Sequence, residues 1–295
     1  MKKIISLFVF FILSTPSIAD TADKVLDAVS RKTSEFFYNL IPGEGHTEVG
    51  IDIRENSSPN FNILAVRELL ELDNGNFFAQ FSIFNTDDAS DGDERFITNL
   101  GFGRRILQKD NTLMLGFNNF YDFDLERNHK RTSLGFEARS AVFEILINRY
   151  IGLGSTYNEE FVFHNENVLD GWDYKLSSQI PQLHWADIFL RGYEWEGITR
   201  DDVRGLQYGS EMLLTSHMSL EFAYDDKKKD GLKDEWYAKL LMFYPPKEGP
   251  TAKDGVADNI WRENRDMSGE LLSKVDRQNK IFIEYKGSST ISRTD

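Results

Sequence analysis

The chain has 295 residues, with 48 acidic and 34 basic side chains, a formal net charge of −14, and no cysteine. The acidic balance argues against a nucleic-acid partner, because surfaces that bind phosphate backbones are basic. The lack of cysteine excludes disulfide bonds and thiol catalysis.

The first predicted element is a secretory leader. Lys2 and Lys3 precede an apolar run over residues 4–13, and small residues follow up to Ala19. This order is typical of a signal peptide, so we predict cleavage of residues 1–19 after Ala19. The apolar run is shorter than the roughly 20 residues that a spanning helix needs, and no longer run follows it. The mature chain is therefore expected to pass the inner membrane.

Residues 20–46 are predicted to form a periplasmic helical lead-in. Within residues 24–40, apolar side chains recur at helical spacing, at Val25, Leu26, Val29, Phe36, Phe37 and Leu40. Pro42, Gly43 and Gly45 end the pattern.

Residues 47–244 repeat one unit about twelve times, a strand with apolar residues at alternate positions and then a turn. The predicted strands are 47–54, 61–71, 76–85, 95–106, 111–123, 130–139, 142–152, 171–179, 186–196, 203–214, 217–226 and 235–244. In lipid a sheet must close on itself to satisfy its backbone. The fold class predicted is all-β, a 12-stranded antiparallel transmembrane β-barrel that follows a short periplasmic helix.

The connections between the predicted strands alternate strictly between tight turns and longer polar loops. Outer-membrane barrels have short turns on the periplasmic side and longer loops outside. The pattern therefore predicts an integral outer-membrane protein in which the N-terminus and the end of the last strand are periplasmic.

Period-two alternation predicts which side chains face the wet lumen and which face lipid. The predicted lumen-facing residues are Asn99, Arg105, Asn118, Arg131, Glu137, Arg139, Lys175, Arg191, Glu211 and Glu221. These groups either bind a linker, line a channel or merely neutralise one another. The predicted lipid-interface aromatics, near strand ends as in aromatic girdles, are Tyr121, Tyr150, Trp172, Trp195, Tyr224, Trp236 and Tyr244.

Beyond Tyr244 the strand pattern stops at a cluster of Pro and Gly residues. Residues 255–264 and 268–275 are compatible with helix, and residues 280–285 alternate like an extended segment. Ile281, Ile283 and Tyr285 lie on one face of that segment.

The run from Thr98 to Arg139 resembles the β-domain of inverse autotransporters, the intimin and invasin family. The matching motifs are N-x-G-x-G-x-R from Asn99, M-L-G-x-N-x-F-Y-D from Met114, L-x-R-N-H-x-R from Leu125 and L-G-x-E from Leu134. Residues 171–173 and 268–285 carry further matches.

The resemblance implies a twelve-stranded barrel, a periplasmic turn or helix over residues 245–278 whose 255–275 part closes the pore, and a lumen linker over residues 279–295. In this family the linker carries an adhesive passenger of immunoglobulin-like domains to the cell surface. Because the chain ends at Asp295, we expect no fused passenger. The expected function is a membrane anchor or translocation pore for surface display. The alternatives are a small porin-like channel and the remnant of a truncated adhesin.

The expected partners are outer-membrane lipid and lipopolysaccharide, periplasmic chaperones and the barrel assembly machinery. A host or cell-surface receptor is expected only if a passenger exists. The five histidines show neither metal-ligand spacing nor a nucleophile partner. We therefore expect no catalytic site, no metal site and no cofactor.

Overall fold

The computed structural model describes residues 16–55, 57–87, 94–154, 165–228, 233–262 and 266–286. Most of the predicted leader and the last nine residues of the predicted linker, 287–295, lie outside the described residues. Within the described part, no helix is both long enough and apolar enough to cross a membrane.

One helix and fourteen strands make up the regular structure of the described residues. They are α1 Pro16–Leu40, β1 Gly45–Arg54, β2 Asn60–Leu72, β3 Gly75–Asp87, β4 Glu94–Gln108, β5 Leu113–Asp124, β6 Lys130–Ser140, β7 Phe143–Gly152, β8 Asn165–Val168, β9 Gly171–Ile180, β10 Leu183–Trp195, β11 Val203–Thr215, β12 Met218–Lys227, β13 Glu235–Tyr244 and β14 Ile283–Lys286. Two 3₁₀ turns, Ala252–Asp254 and Met267–Glu270, lie between β13 and β14.

Twelve strands form a closed antiparallel barrel in the order β1-β13-β12-β11-β10-β9-β7-β6-β5-β4-β3-β2. The seam pairs β1 with β13, from Thr47 opposite Tyr244 to Arg54 opposite Tyr237. Closure leaves no edge in this sheet, so each of the twelve barrel strands finds a backbone partner on both sides. The predicted twelve-stranded barrel is confirmed.

The barrel has two different ends. We call the end that carries the connections 73–74, 109–112, 141–142, 181–182 and 216–217 the tight-turn end. The other end, which carries the longer connections, is the long-loop end. Gly75, which follows the 73–74 turn, has to be a glycine. Its φ is 146°, and a Cβ there would overlap the carbonyl of Arg105.

Side-chain alternation along the strands puts polar groups inside the barrel. In β6, Arg131 and Glu137 are fully buried, whereas Leu134 between them is 58% exposed on the outer wall. A wall that is apolar outside and charged inside suits a barrel in lipid.

The helices predicted after β13 are replaced by short 3₁₀ turns and irregular chain. Within residues 255–262 the backbone bonds to the β9–β10 turn: Gln182 N donates to Ile260 O at 2.9 Å and Ala257 N donates to Gln182 O at 2.8 Å. These bonds use backbone groups that a helix would pair internally. Residues 271–275 are likewise bound by the barrel wall rather than coiled into a helix.

Candidate functional site in the barrel lumen

Residues 271–286, here called the lumen segment, run through the barrel from end to end. At the tight-turn end, Met267 and Leu271 pack against Leu107 and Met114. At the long-loop end, β14 pairs antiparallel with β8, which lies in the connection between β7 and β9. The lumen segment begins at Leu271, earlier than the predicted start at Asn279.

Arginine side chains hold the backbone of the lumen segment at the tight-turn end. Arg105 Nη1 donates to the carbonyls of Leu271 at 2.9 Å and Ser273 at 2.6 Å. Its Nε donates to Glu137 Oε1 at 2.7 Å, and both side chains are fully buried. Arg139 donates to Ser273 Oγ at 2.8 Å and to the carbonyl of residue 274 at 2.9 Å. The arginines thus satisfy carbonyls that have no strand partner.

In the middle of the lumen the segment presents alternating charges to the wall. Lys274 Nζ lies 3.0 Å from Glu48 Oε1. Asp276 accepts from Lys175 Nζ at 2.5 Å and also from Arg191. Opposite charges on the segment and the wall neutralise each other. A buried ion is tolerated only when it is paired in this way.

A bidentate ion pair joins Arg277 of the segment to Asp122 of the wall, with both N–O distances 2.8 Å and both side chains fully buried. Arg131 Nε donates to the same carboxylate at 2.8 Å, and its Nη atoms donate to the carbonyls of Gln278 and Lys280. The guanidinium of Arg277 also lies 4.3 Å from the ring centroid of Phe120.

Aromatic and aliphatic packing replaces ion pairs near the long-loop end. Phe282 stacks on Trp195 with ring centroids 3.9 Å apart and an interplanar angle of 15°. Ile281 and Ile283 pack with Ile97 and Val168. This apolar layer surrounds the segment where it leaves the barrel.

Glu284 ties the end of the segment to the β10–β11 connection. Its carboxylate accepts from the backbone N–H groups of Ile198 and Thr199, both at 2.9 Å. Burial works to raise the pKa of Glu284, but hydrogen bonds from the Thr199 hydroxyl and from these backbone groups outweigh it and hold the pKa below its ordinary value. Tyr285 pairs through its backbone with Glu166, and its side chain lies outside the described part.

Most residues predicted to face the lumen contact the segment. Asn99, Arg105, Arg131, Arg139, Lys175 and Arg191 bond to it directly. Glu137 orients Arg105, and Asn118 is buried on the same wall. Glu221 instead bonds to Tyr237 at 2.9 Å and Lys239 at 3.0 Å, and Glu211 lies 4.0 Å from Lys247. Of the three interpretations, linker binding thus describes the contacts of one group of residues and wall neutralisation those of the other, while channel lining stays a prediction.

Two predicted interface aromatics lie in the lumen instead. Trp195 and Tyr150 are fully buried, and both belong to the cluster around Phe282. For Trp195 the prediction overlooked strand alternation. Residues four apart in a strand lie on the same face, so Trp195 faces the lumen as Arg191 does. The remaining aromatics of the set, Tyr121, Trp172, Tyr224, Trp236 and Tyr244, are exposed or partly exposed on the outer wall.

Several residues that bind the segment were not predicted. Asp122 lies on β5 with the parity of Asn118, so alternation could have found it. Gln80, which accepts from Val275 N at 2.7 Å, had a similar signal on β3. Asp276 carried no such signal in the sequence, because the residues just before it are compatible with helix and define no strand parity.

Two polar cavities remain beside the segment, with volumes of about 210 Å³ and 160 Å³. Lys274 and Asp276 line both. Glu211 lines the larger cavity and Glu221 the smaller, on the side of the barrel opposite to β4 and β5. In the part of the chain that the structure describes, no three His, Cys, Asp or Glu residues are grouped so as to hold a metal ion.

Comparison with known proteins agrees with this architecture. The family model described as inverse autotransporter, beta-domain, matches residues 15–279. Invasin from Yersinia enterocolitica is 23% identical over 223 residues, which cover 73% of this chain and 26% of invasin. Inverse autotransporter adhesin YeeJ from Escherichia coli (strain K12) is 26% identical over 234 residues, 74% of this chain and 9% of YeeJ. The match thus spans about a quarter or less of the length of these relatives.

The barrel also resembles a solved structure. A chain studied for the in-meso crystallization of membrane proteins superposes with a TM-score of 0.62 at 17% identity, covering 82% of this chain and 100% of that one. At this identity the likeness shows the fold alone.

Proposed function

This chain belongs to the inverse autotransporter β-domain family, and from that membership we propose that its barrel is an anchor and translocation pore for surface display. It resides in the outer membrane, as its family and fold indicate. The observation that carries the proposal is the path of the lumen segment, which the wall binds at every level from the tight-turn end to the long-loop end.

The orientation in the membrane is part of the proposal. Short turns are periplasmic in outer-membrane barrels, which puts the tight-turn end and α1 in the periplasm and the long-loop end at the cell surface. The mature chain would follow cleavage of the leader, and periplasmic chaperones and the barrel assembly machinery would insert it. Lipopolysaccharide would surround the long-loop end. A cell-surface receptor would meet only chain that continues past the lumen segment.

Since the chain has no natural cysteine, single cysteines can test the orientation. Lys233→Cys, at an exposed position of the β12–β13 connection, is expected to react with a membrane-impermeant maleimide on intact cells. Asp73→Cys, exposed at a tight turn, is the matched control and is expected to react only after the outer membrane is permeabilised. The reverse pattern would contradict the orientation.

Translocation itself is tested by an epitope tag appended after Asp295. An antibody is expected to reach the tag on intact cells that carry the folded barrel. A tag that the antibody reaches only after permeabilisation would contradict transport through the lumen.

A small channel is the second candidate, favoured by the two polar cavities beside the lumen segment. If these cavities connect the two ends, the full chain conducts small ions while the segment stays bound. Steady conductance of the full-length barrel in a planar bilayer, unchanged by removal of the segment, would favour the channel over the translocation pore.

A further inference from the structure

Helix α1 packs on the barrel with its polar side. Ser30 and Ser34 are fully buried, and their hydroxyls donate to carbonyls of the helix itself, at Leu26 O (2.6 Å) and Ser30 O (2.7 Å). Asp27 lies 2.9 Å from His217 Nδ1, in the β11–β12 turn. The buried side therefore consists of small or already bonded polar groups.

The opposite side of α1 is apolar and exposed. Val25, Val29, Phe36 and Leu40 are between 54% and 61% exposed. At about 100° per residue these four fall within an arc of about 60° on one face. A helix on the surface of a water-soluble protein buries such an apolar stripe against the core. In α1 the arrangement is reversed, with the polar side against the barrel and the apolar side exposed.

The helix lies on the outer wall of the barrel rather than across its mouth. Thr47, Met218 and Met242 have the strand parity of lipid-facing residues, yet all three are buried. They lie at the tight-turn ends of β1, β12 and β13, which α1 contacts. The ring of Tyr38 lies 5.0 Å from that of Tyr244, whose parity is also lipid-facing.

Arg67 connects the C-terminal end of α1 to the outer wall of the barrel. It has outward parity on β2 and donates to Ile41 O at 2.8 Å and Thr47 Oγ1 at 2.9 Å, while its guanidinium lies 4.7 Å from the ring centroid of Tyr38. Leu69 and Leu70 lie closer to the rim and are more than half exposed. Because apolar wall continues past Arg67, the lipid reaches the level of α1.

We propose that α1 is an interfacial helix whose exposed apolar stripe inserts into the phospholipid leaflet at the tight-turn end. The apolar outer wall of the barrel adjoins the apolar stripe of α1, so the lipid that covers the wall also covers the stripe. Lys24, Arg31 and Lys32 are exposed on the same helix, where cations suit lipid phosphates. The inference requires only that the barrel lies in a membrane and is independent of translocation.

The test uses one fluorescent label on a single cysteine in the full chain, reconstituted in phospholipid vesicles. Val29→Cys reports on the stripe, and the exposed Arg31→Cys on another side of the helix is the matched control. Helices of this kind bury their apolar face about 5–10 Å into the interface, so brominated acyl chains are expected to quench the Val29 label about threefold more than the Arg31 label. Aqueous iodide is expected to show the opposite preference.

Two outcomes would overturn the inference. If iodide quenches both labels equally and brominated lipid quenches neither, the stripe faces water. If the Val29 label is protected from both quenchers and the protein cross-links as a dimer, a second copy covers the stripe. Heat-modifiable migration on gels confirms that each variant is folded, and Phe36→Cys is a second label in the same stripe.

Discussion

Arg277→Gln tests how strongly the lumen segment is held. The change removes a bidentate ion pair with Asp122 and a cation–π contact with Phe120, all fully buried. Breaking a buried pair costs about 3–5 kcal/mol. Arg131 still neutralises Asp122 in the variant, so we take the low end, about 3 kcal/mol. Because about 1.4 kcal/mol is a tenfold change, the unbound state of the segment should become about a hundredfold more populated.

Single-channel recording in planar bilayers measures that population as the fraction of time spent open. The matched control is Gln278→Ala, because the hydrogen bonds that join Gln278 to the wall use its backbone N–H and carbonyl and not its side chain. We expect Arg277→Gln to open far more often than the wild-type chain and Gln278→Ala to change the open fraction less than about threefold. Equal open fractions for the two variants would refute the reasoning.

Three further predictions concern packing and pH. Trp195→Ala removes the ring that stacks on the segment, and it should raise the open fraction; Trp172→Ala, on the exposed outer wall, should not. The lowered pKa of Glu284 means that its bonds to two backbone amides contribute stability above the ordinary pKa of 4.5 and are lost as pH falls through the lowered value. The protection of those amides against hydrogen exchange, measured relative to the intrinsic exchange rate at each pH, should therefore fall in acid, and Glu284→Gln should abolish that dependence. Gly116→Ala places a Cβ on a carboxylate of β6 and should destabilise the barrel by about 1–3 kcal/mol in urea unfolding, whereas Gly269→Ala, with open space at Cβ, should be neutral.

The barrel was predictable because its signals are local. Alternation and turn residues repeat within each hairpin, so the strand predicted at 130–139 is observed at Lys130–Ser140. Lumen-facing charges such as Arg105 and Arg131 follow from the same parity.

Other features depend on contacts between distant parts of the chain. Trp195 faces inward because it shares the strand parity of Arg191, but its stacking on Phe282 depends on a residue far away in the sequence. Residues 268–275 are compatible with helix locally, but Arg105, more than 160 positions earlier, takes their carbonyls. The apolar stripe of α1 was visible in the sequence, although nothing there indicates that the polar side packs on the wall.

The most direct test compares single-channel conductance of the full chain with that of a chain lacking residues 271–295. The central claim is that the lumen segment fills the pore, so the full chain should be closed or weakly conducting and the shortened chain should show a large, steady conductance. Equal conductance of the two folded barrels would contradict the claim.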